Sequence, residues 1–176
     1  MSGEDDPRAQ VFDDEHPGPI LESALAHTML SEVVSQPVLT VSPSTTLADT
    51  IHLMQKERRS CVLIMENNRL VGIFTERDIL MKVAAQPLDL LHTPVSGSMT
   101  ADPFTLPADA NVAFALNKMV LEGFRHIPLV DGAGRPTAVV SMRNVIEYLG
   151  EIYSREMLTV PPDPSQHHRF KDREGA

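Results

Sequence analysis

The chain has 176 residues, 42% hydrophobic and 22% charged, which is near the globular average and leaves room for one ordinary domain or two very small ones, excluding a large multidomain enzyme. No apolar run exceeds the five residues of Val112–Leu116, far short of the roughly 20 needed to cross a bilayer; no secretory signal is expected, and a single cysteine, Cys61, fits a reducing, cytoplasmic compartment. The net charge of −9 divides unevenly, with seven acids and one base in residues 1–27, thirteen acids and ten bases in 28–153, and four of each in 154–176, so the central part lacks the basic field that nucleic-acid binding requires.

Residues 1–27 are acidic, proline-marked and without apolar period, the composition of a disordered tail. A first unit, 28–90, opens with the apolar stretch Pro37-Val38-Leu39-Thr40-Val41, a short strand. Leu47, Ile51 and Met54 share one face of a helix, and Thr46 with Asp49 makes its N-terminal capping pair. Cys61–Met65 and Leu70–Phe74 are strands of a hairpin through Glu66-Asn67-Asn68-Arg69, and a helix follows Thr75 to about Ala85. The second unit, 91–153, repeats the order: Asn111 caps a helix carrying Val112, Leu116, Met119 and Val120. Strands Ile127–Val130 and Thr137–Val140 then flank a turn at Asp131-Gly132, and a helix runs from Met142 to about Ile152. Residues 154–176, with Pro161-Pro162-Asp163-Pro164, form a second tail expected to be disordered, and His167-His168 there is solvated chain rather than a metal site.

The two units are an internal repeat. At a shift of 65, Leu47, Ala48, Ile51 and Met54 fall on Val112, Ala113, Leu116 and Met119; after one inserted residue near Gly132–Gly134, Thr75-Glu76-Arg77-Asp78 falls on Ser141-Met142-Arg143-Asn144. Each unit is strand, helix, strand, strand, helix, an α+β arrangement. A sheet of this size has a face to cover and is marginal alone, so the two units are expected to pack on each other.

Thr75 at a strand end and Asp78 in the first turn of the next helix can point into one cleft. There an ionised Asp78 could accept from two vicinal ribose hydroxyls, and Thr75 could bond the ribose or a first phosphate. The alternative is that the pair merely caps the helix; recurrence in a double repeat favours the ligand reading. In the second unit Asn144 replaces the acid and Ala138 replaces Gly72, so that cleft should bind ribose more weakly, by about tenfold if a charged hydrogen bond gives way to a neutral one. Cys61, heading an apolar strand with no adjacent Lys, His or second Cys, reads as a buried inert thiol, and the methionines read as core filling. No phosphate-loop or dinucleotide fingerprint and no catalytic constellation with motif-like spacing is present.

Gly72-Ile73-Phe74-Thr75-Glu76-Arg77-Asp78 and Ala138-Val139-Val140-Ser141-Met142-Arg143-Asn144, together with Phe124-Arg125-His126-Ile127-Pro128-Leu129-Val130, resemble the cystathionine-beta-synthase (CBS) domain. The chain is similar to a tandem CBS pair, or Bateman module, over roughly 28–153. The resemblance implies two β-α-β-β-α repeats packed with pseudo-two-fold symmetry, and two clefts for adenosine ligands such as AMP, ADP, ATP, NAD(H) or S-adenosylmethionine. It places cations at the start of the middle strand, where Arg125 and His126 would serve phosphates in either cleft while the first unit has only Ser60 and Cys61; the competing reading is that His126, before Ile127-Pro128, simply bonds a neighbouring backbone carbonyl. Arg77 and Arg143 divide between phosphate contact and salt bridges to the other unit. Thr40 and Thr105 would present backbone groups to an adenine edge, with Val41, Val62 and Ile127 sandwiching the ring. The expectation is a non-enzymatic regulatory protein that requires no cofactor or metal, senses energy state through an adenine nucleotide, forms a homodimer and reports to an unidentified protein partner. The competing expectation is a ligand-free dimerisation or scaffold module.

Overall fold

A computed structural model describes residues 25–34 and 37–157, with side chains to Ile152. The expected tails lie outside the described residues, apart from helical backbone at 25–27 and 154–157; His167 and His168 also lie outside them. In chain order the elements are α1 (Leu30–Val33), β1 (Thr40–Val41), α2 (Leu47–Lys56), β2 (Cys61–Glu66), β3 (Arg69–Thr75) and α3 (Glu76–Asp78), which continues as a π-helical segment over Ile79–Val83. A 3-10 turn at Val95–Gly97 leads to β4 (Thr100–Ala101), β5 (Leu106–Pro107), α4 (Val112–Glu122), β6 (His126–Val130), β7 (Pro136–Ser141) and α5 (Met142–Met157).

Local chemistry sets most of these boundaries. Thr46 Oγ1 accepts from the Asp49 N–H at 3.1 Å to start α2, and Asn111 Oδ1 accepts from the Phe114 N–H at 2.8 Å to start α4. Asn67 and Asn68 both take positive φ, 49° and 60°, as a two-residue hairpin demands, and join β2 to β3. The second hairpin is longer, with Asp131 Oδ1 accepting from the N–H groups of Ala133 and Arg135 at 2.9 Å. Helix α2 ends before Arg58 (φ 51°) where α4 ends at Gly123 (φ 73°), so an arginine holds a left-handed position that glycine adopts without strain.

Two sheets result. In the first, of order β1-β2-β3-β4, β1 is parallel to β2 and the other pairs are antiparallel. In the second, of order β5-β6-β7, β5 is parallel to β6 and β7 antiparallel. Equivalent strands bury equivalent triplets, Val62-Leu63-Ile64 and Ile127-Pro128-Leu129. Gly72 pairs with Ala101 of β4, and a Cβ there would run into the side chain of Met99, just before that strand.

The two cores are not contiguous in sequence. Leu30, fully buried, belongs to the core of Leu106, Val112, Ala115, Met119, Ile127, Leu129, Val140 and Val145, all from the second unit. Val95, also fully buried, belongs to the core of Leu47, Met54, Val62, Ile64, Phe74 and Val83 in the first. The backbone repeats this exchange at the same shift of 65. Val112 N–H bonds Thr28 O and Leu30 N–H bonds Ala110 O, as Leu47 N–H bonds Thr93 O and Val95 N–H bonds Thr45 O. Each unit is thus closed by a short segment that precedes the other unit's sheet in the chain. This two-unit, pseudo-symmetric packing of β-α-β-β-α repeats is the expected architecture, with the crossing as the feature that the repeat alone did not reveal. Among the described residues no helix is long and apolar enough to cross a membrane.

Because Leu30 fills the second core from outside that unit, Leu30→Ala should cost about 2–5 kcal/mol. Denaturant unfolding checks the size. Hydrogen exchange checks the place: amides of β6 and β7 should lose protection before those of β2 and β3, and the reverse order would contradict the exchange of segments.

Candidate functional site

Both units end their last strand in the same hydrogen-bonded corner. Thr75 N–H and Oγ1 donate to Asp78 Oδ2 at 2.9 and 2.7 Å, while Thr75 Oγ1 accepts from the Asp78 N–H at 3.3 Å. Ser141 N–H and Oγ donate to Asn144 Oδ1 at 2.9 and 2.6 Å, and the Asn144 N–H returns to Ser141 Oγ at 3.2 Å. The capping role of the motif is therefore real, and an amide oxygen performs it as well as a carboxylate. The difference lies in the remaining atom of each side chain: Asp78 has a second anionic oxygen, Asn144 an amino group.

Each corner opens onto a cleft built by both units. The Asp78 cleft, about 460 Å³, takes Ile73, Thr75, Glu76, Arg77, Asp78, Leu80 and Met81 from the first unit and Thr100, Pro103, Phe104, Phe124, Arg125 and His126 from the second half of the chain. Asp102, at φ 45°, turns the chain from β4 toward Pro103 and Phe104. Phe104 and Phe124 stack with centroids 5.9 Å apart and planes at 25°, and Lys118 Nζ lies 5.4 Å from the Phe104 centroid. Asp78 itself is buried, at 6% exposure, with Lys82 Nζ 2.6 Å from its Oδ1.

The Asn144 cleft, about 620 Å³, is the pseudo-symmetric counterpart: Ser141, Met142, Arg143, Asn144 and Glu147 face Pro37, Val38, Leu39, Arg58, Arg59, Ser60 and Cys61. Val139, Glu76, Arg125 and His126 complete it. Four arginines against two glutamates make it the more cationic of the two, whereas the Asp78 cleft has Arg77 and Arg125 against Glu76 and Asp78. Glu76, Arg125 and His126 line both. At this junction Ser60 Oγ and His126 Nε2 are 2.7 Å apart. The backbone is equally symmetric here, with Met142 N–H bonding Arg125 O and Glu76 N–H bonding Ser60 O.

The structure thus brings Thr75, Arg77, Asp78, Arg125 and His126 to one cleft, and Arg125, His126, Ser141, Arg143 and Asn144 to the other. Thr40, Val41, Val62, Thr105 and Ile127 line neither. Val62 and Ile127 have no exposed surface, being central strand residues pinned in the two cores; Val41 packs on the first core, and Thr40 sits on the edge strand β1. The apolar walls come from residues just before those first strands, Pro37, Val38 and Leu39 or Pro103 and Phe104, and from Leu80 and Met81 of the π-helical segment. Arg77 ties the units by donating to the Gly123 carbonyl at 2.7 Å, whereas Arg143 is 84% exposed and faces Glu147 on its own helix at 4.0 Å. Sequence reasoning missed Arg58, Arg59, Lys82, Phe104 and Phe124. Phe124 opens the Phe124–Val130 stretch that carries the family resemblance, and the proline-apolar step before each first strand, Pro37-Val38 and Pro103-Phe104, was the available signal for Phe104.

Burial, then the neighbouring Arg125, holds the His126 imidazole below its usual 6.5. Burial pushes the Cys61 thiol up to about 11, which fits the inert reading. Among the described residues no group of three or more His, Cys, Asp and Glu could hold a metal ion.

Residues 30–85 and 95–151 match the family model described as CBS domain. An uncharacterised 17.7 kDa protein of Acidianus ambivalens is 32% identical over 130 residues, covering 73% of this chain and 77% of that protein. A CBS domain-containing protein of Arabidopsis thaliana is 37% identical over 118 residues, or 66% of this chain, which spans only 21% of that protein's length. Among solved structures, a CBS domain protein of Pyrobaculum aerophilum complexed with AMP is 25% identical, with a TM-score of 0.63, covering 70% of this chain and 99% of that one.

With His126 favoured neutral in the fold, the unfolded chain binds the extra proton at mildly acid pH. The stability from this residue is present above about 6.5 and declines as the pH falls through that value toward the lower native midpoint. NMR titration should place the His126 midpoint below 6.5, and His126→Gln should flatten the pH 5–7 slope of unfolding stability.

Proposed function

Because the chain belongs to the CBS-domain family and carries two such domains in tandem, we propose that it is a regulatory module that binds an adenine nucleotide in its inter-unit clefts and signals to a protein partner. Modules of this family are regulatory rather than catalytic. The observation that carries the nucleotide reading is the Asp78 cleft, where a buried carboxylate, a stacked aromatic pair and the Arg77 and Arg125 guanidinium groups share about 460 Å³. A purine has Phe104, Phe124, Leu80 and Met81 to lie against; a ribose diol has Asp78 and Thr75; a phosphate has Arg125 and Arg77. The AMP complex of the Pyrobaculum relative supports AMP among the candidates. The Asn144 cleft offers more positive charge and a weaker ribose partner, so unequal sites follow. Ligand acts by favouring one arrangement of the two units, by no more than its difference in affinity for the two. Exposed Phe114, Val120 and Leu121 on α4 and Ile146 on α5 support self-association as a homodimer.

One observation favours the scaffold reading. Asp78 already accepts from Thr75 N–H, Thr75 Oγ1, Lys82 and Thr100, so its carboxylate is satisfied without any ligand.

Calorimetric titration with AMP, ADP, ATP, NADH and S-adenosylmethionine separates the two. Asp78→Asn is the informative variant, because Asn144 shows that an amide keeps the corner intact. The expected result is micromolar binding of at least one of the five, weakened about tenfold in the folded variant. Silence for all five in folded, ligand-free protein would favour the scaffold.

A further inference from the structure

One oxygen of the buried Asp78 carboxylate is held by a side chain that can leave. Oδ2 accepts from the N–H and Oγ1 of Thr75, and Oδ1 accepts from Lys82 Nζ at 2.6 Å and from Thr100 Oγ1 at 3.3 Å; Thr75 and Thr100 both line the cleft. A carboxylate has about four acceptor directions, so these four donors fill it, and a vicinal diol finds none vacant. Of the four, the Thr75 N–H is backbone and Thr75 Oγ1 belongs to the cap. Lys82 is a flexible side chain, 40% exposed, whose ammonium can return to water.

The same ammonium donates to the carbonyls of Ser98 and Met99 at 3.1 and 3.3 Å and to Thr100 Oγ1 at 3.3 Å. These residues form the crossing from the first core toward the second unit. The π-helical segment places Lys82 there, with the Ala84 N–H reaching back to Ile79 O at 2.8 Å. At the repeat shift of 66 its counterpart is Tyr148, whose hydroxyl lies 2.5 Å from Thr28 Oγ1 in the segment that closes the second unit. Both units therefore tie a last-helix residue to the borrowed segment, but in the first unit the tie also holds the clamp carboxylate.

We infer that Lys82 is a specificity-determining residue of the Asp78 cleft: a tethered competitor that a ribose 2′,3′-diol displaces from Asp78 Oδ1, loosening the 98–100 crossing as it leaves. The inference rests on the nucleoside reading of this cleft. Ligands without a diol have no reason to move Lys82, so the residue couples recognition of the sugar to the strand that links the units.

The test compares adenosine with 2′,3′-dideoxyadenosine, both uncharged, on the full chain as wild type, Lys82→Met and Asp78→Asn. Only the lysine of this pair is partly exposed and the carboxylate is buried, so the competition is set by how readily the ammonium returns to water, and adenosine should bind Lys82→Met roughly threefold to fivefold more tightly than wild type, with dideoxyadenosine unchanged. In the wild type, which needs no variant to fold, adenosine should raise the rate at which acetic anhydride labels Lys82. Equal or weaker adenosine binding by Lys82→Met, equal tightening of dideoxyadenosine, or protection of Lys82 by adenosine would each overturn the competitor while leaving an Asp78-dependent nucleoside site standing. Adenosine binding that ignores Asp78→Asn, or no adenosine binding by any of the three proteins, would overturn the nucleoside reading and the competitor with it.

Discussion

The exchange of short segments between the two cores is the constraint on which the rest of this structure depends. Leu30 and Val95 each fill a core from outside its own run of sequence, and the paired backbone bonds around Thr28 and Thr93 hold them there. Neither core is complete without chain from across the molecule, and a unit of this size has little hydrophobic stabilisation to spare. The crossing also carries Pro37–Leu39 and Pro103–Phe104 to the opposite unit's capped corner. The clefts are composites for that reason, and the packing that stabilises the fold is the packing that makes the sites.

Pseudo-symmetry in the backbone coexists with asymmetry in chemistry. The corners at Thr75 and Ser141 have nearly the same hydrogen bonds, so Asp78 and Asn144 are interchangeable as caps. They are not interchangeable toward a ligand, since one presents an anionic oxygen and the other an amino group. Charge around them shifts in the opposite sense, with Arg58, Arg59 and Arg143 gathered on the Asn144 side. Arg125 and His126, shared by both clefts, have Ser60 and Cys61 as counterparts. The junction between the clefts therefore has its cation from one unit only, and the Ser60–His126 contact crosses it.

Lys82 shows how stability and recognition can draw on one contact. Its ammonium completes the hydrogen bonding of a buried carboxylate that would otherwise be costly to leave unpaired. It also bonds two carbonyls of the crossing segment. A satisfied cleft residue is compatible with a silent scaffold and with a sensor whose ligand must replace an internal partner, and the two differ in what a diol does to the lysine.

Much of this protein was legible in the sequence because the relevant signals are local. Thr46 and Asn111 cap their helices, Asn67-Asn68 turns its hairpin, and Thr75-Asp78 and Ser141-Asn144 close their corners through bonds spanning three residues or fewer. The recurrence of those signals at a constant shift gave two units and their relation. The apolar walls of the clefts were not legible: Val62 and Ile127 belong to apolar runs whose facing partners cannot be told from periodicity, and both proved to be core. Nor could a repeat show that Phe104 meets Phe124, that Arg58 and Arg143 line one cleft, or that Lys82 reaches the Ser98 carbonyl, since each arrangement depends on the crossing. The sequence by itself determined the repeated strands and helices, their caps and the family, because these follow from neighbours along the chain, but not the short Leu30–Val33 helix or the Thr100–Ala101 strand. The tertiary structure decided which segment completes which core and which side chains share a cleft, because those follow from burial of apolar surface between residues distant in sequence.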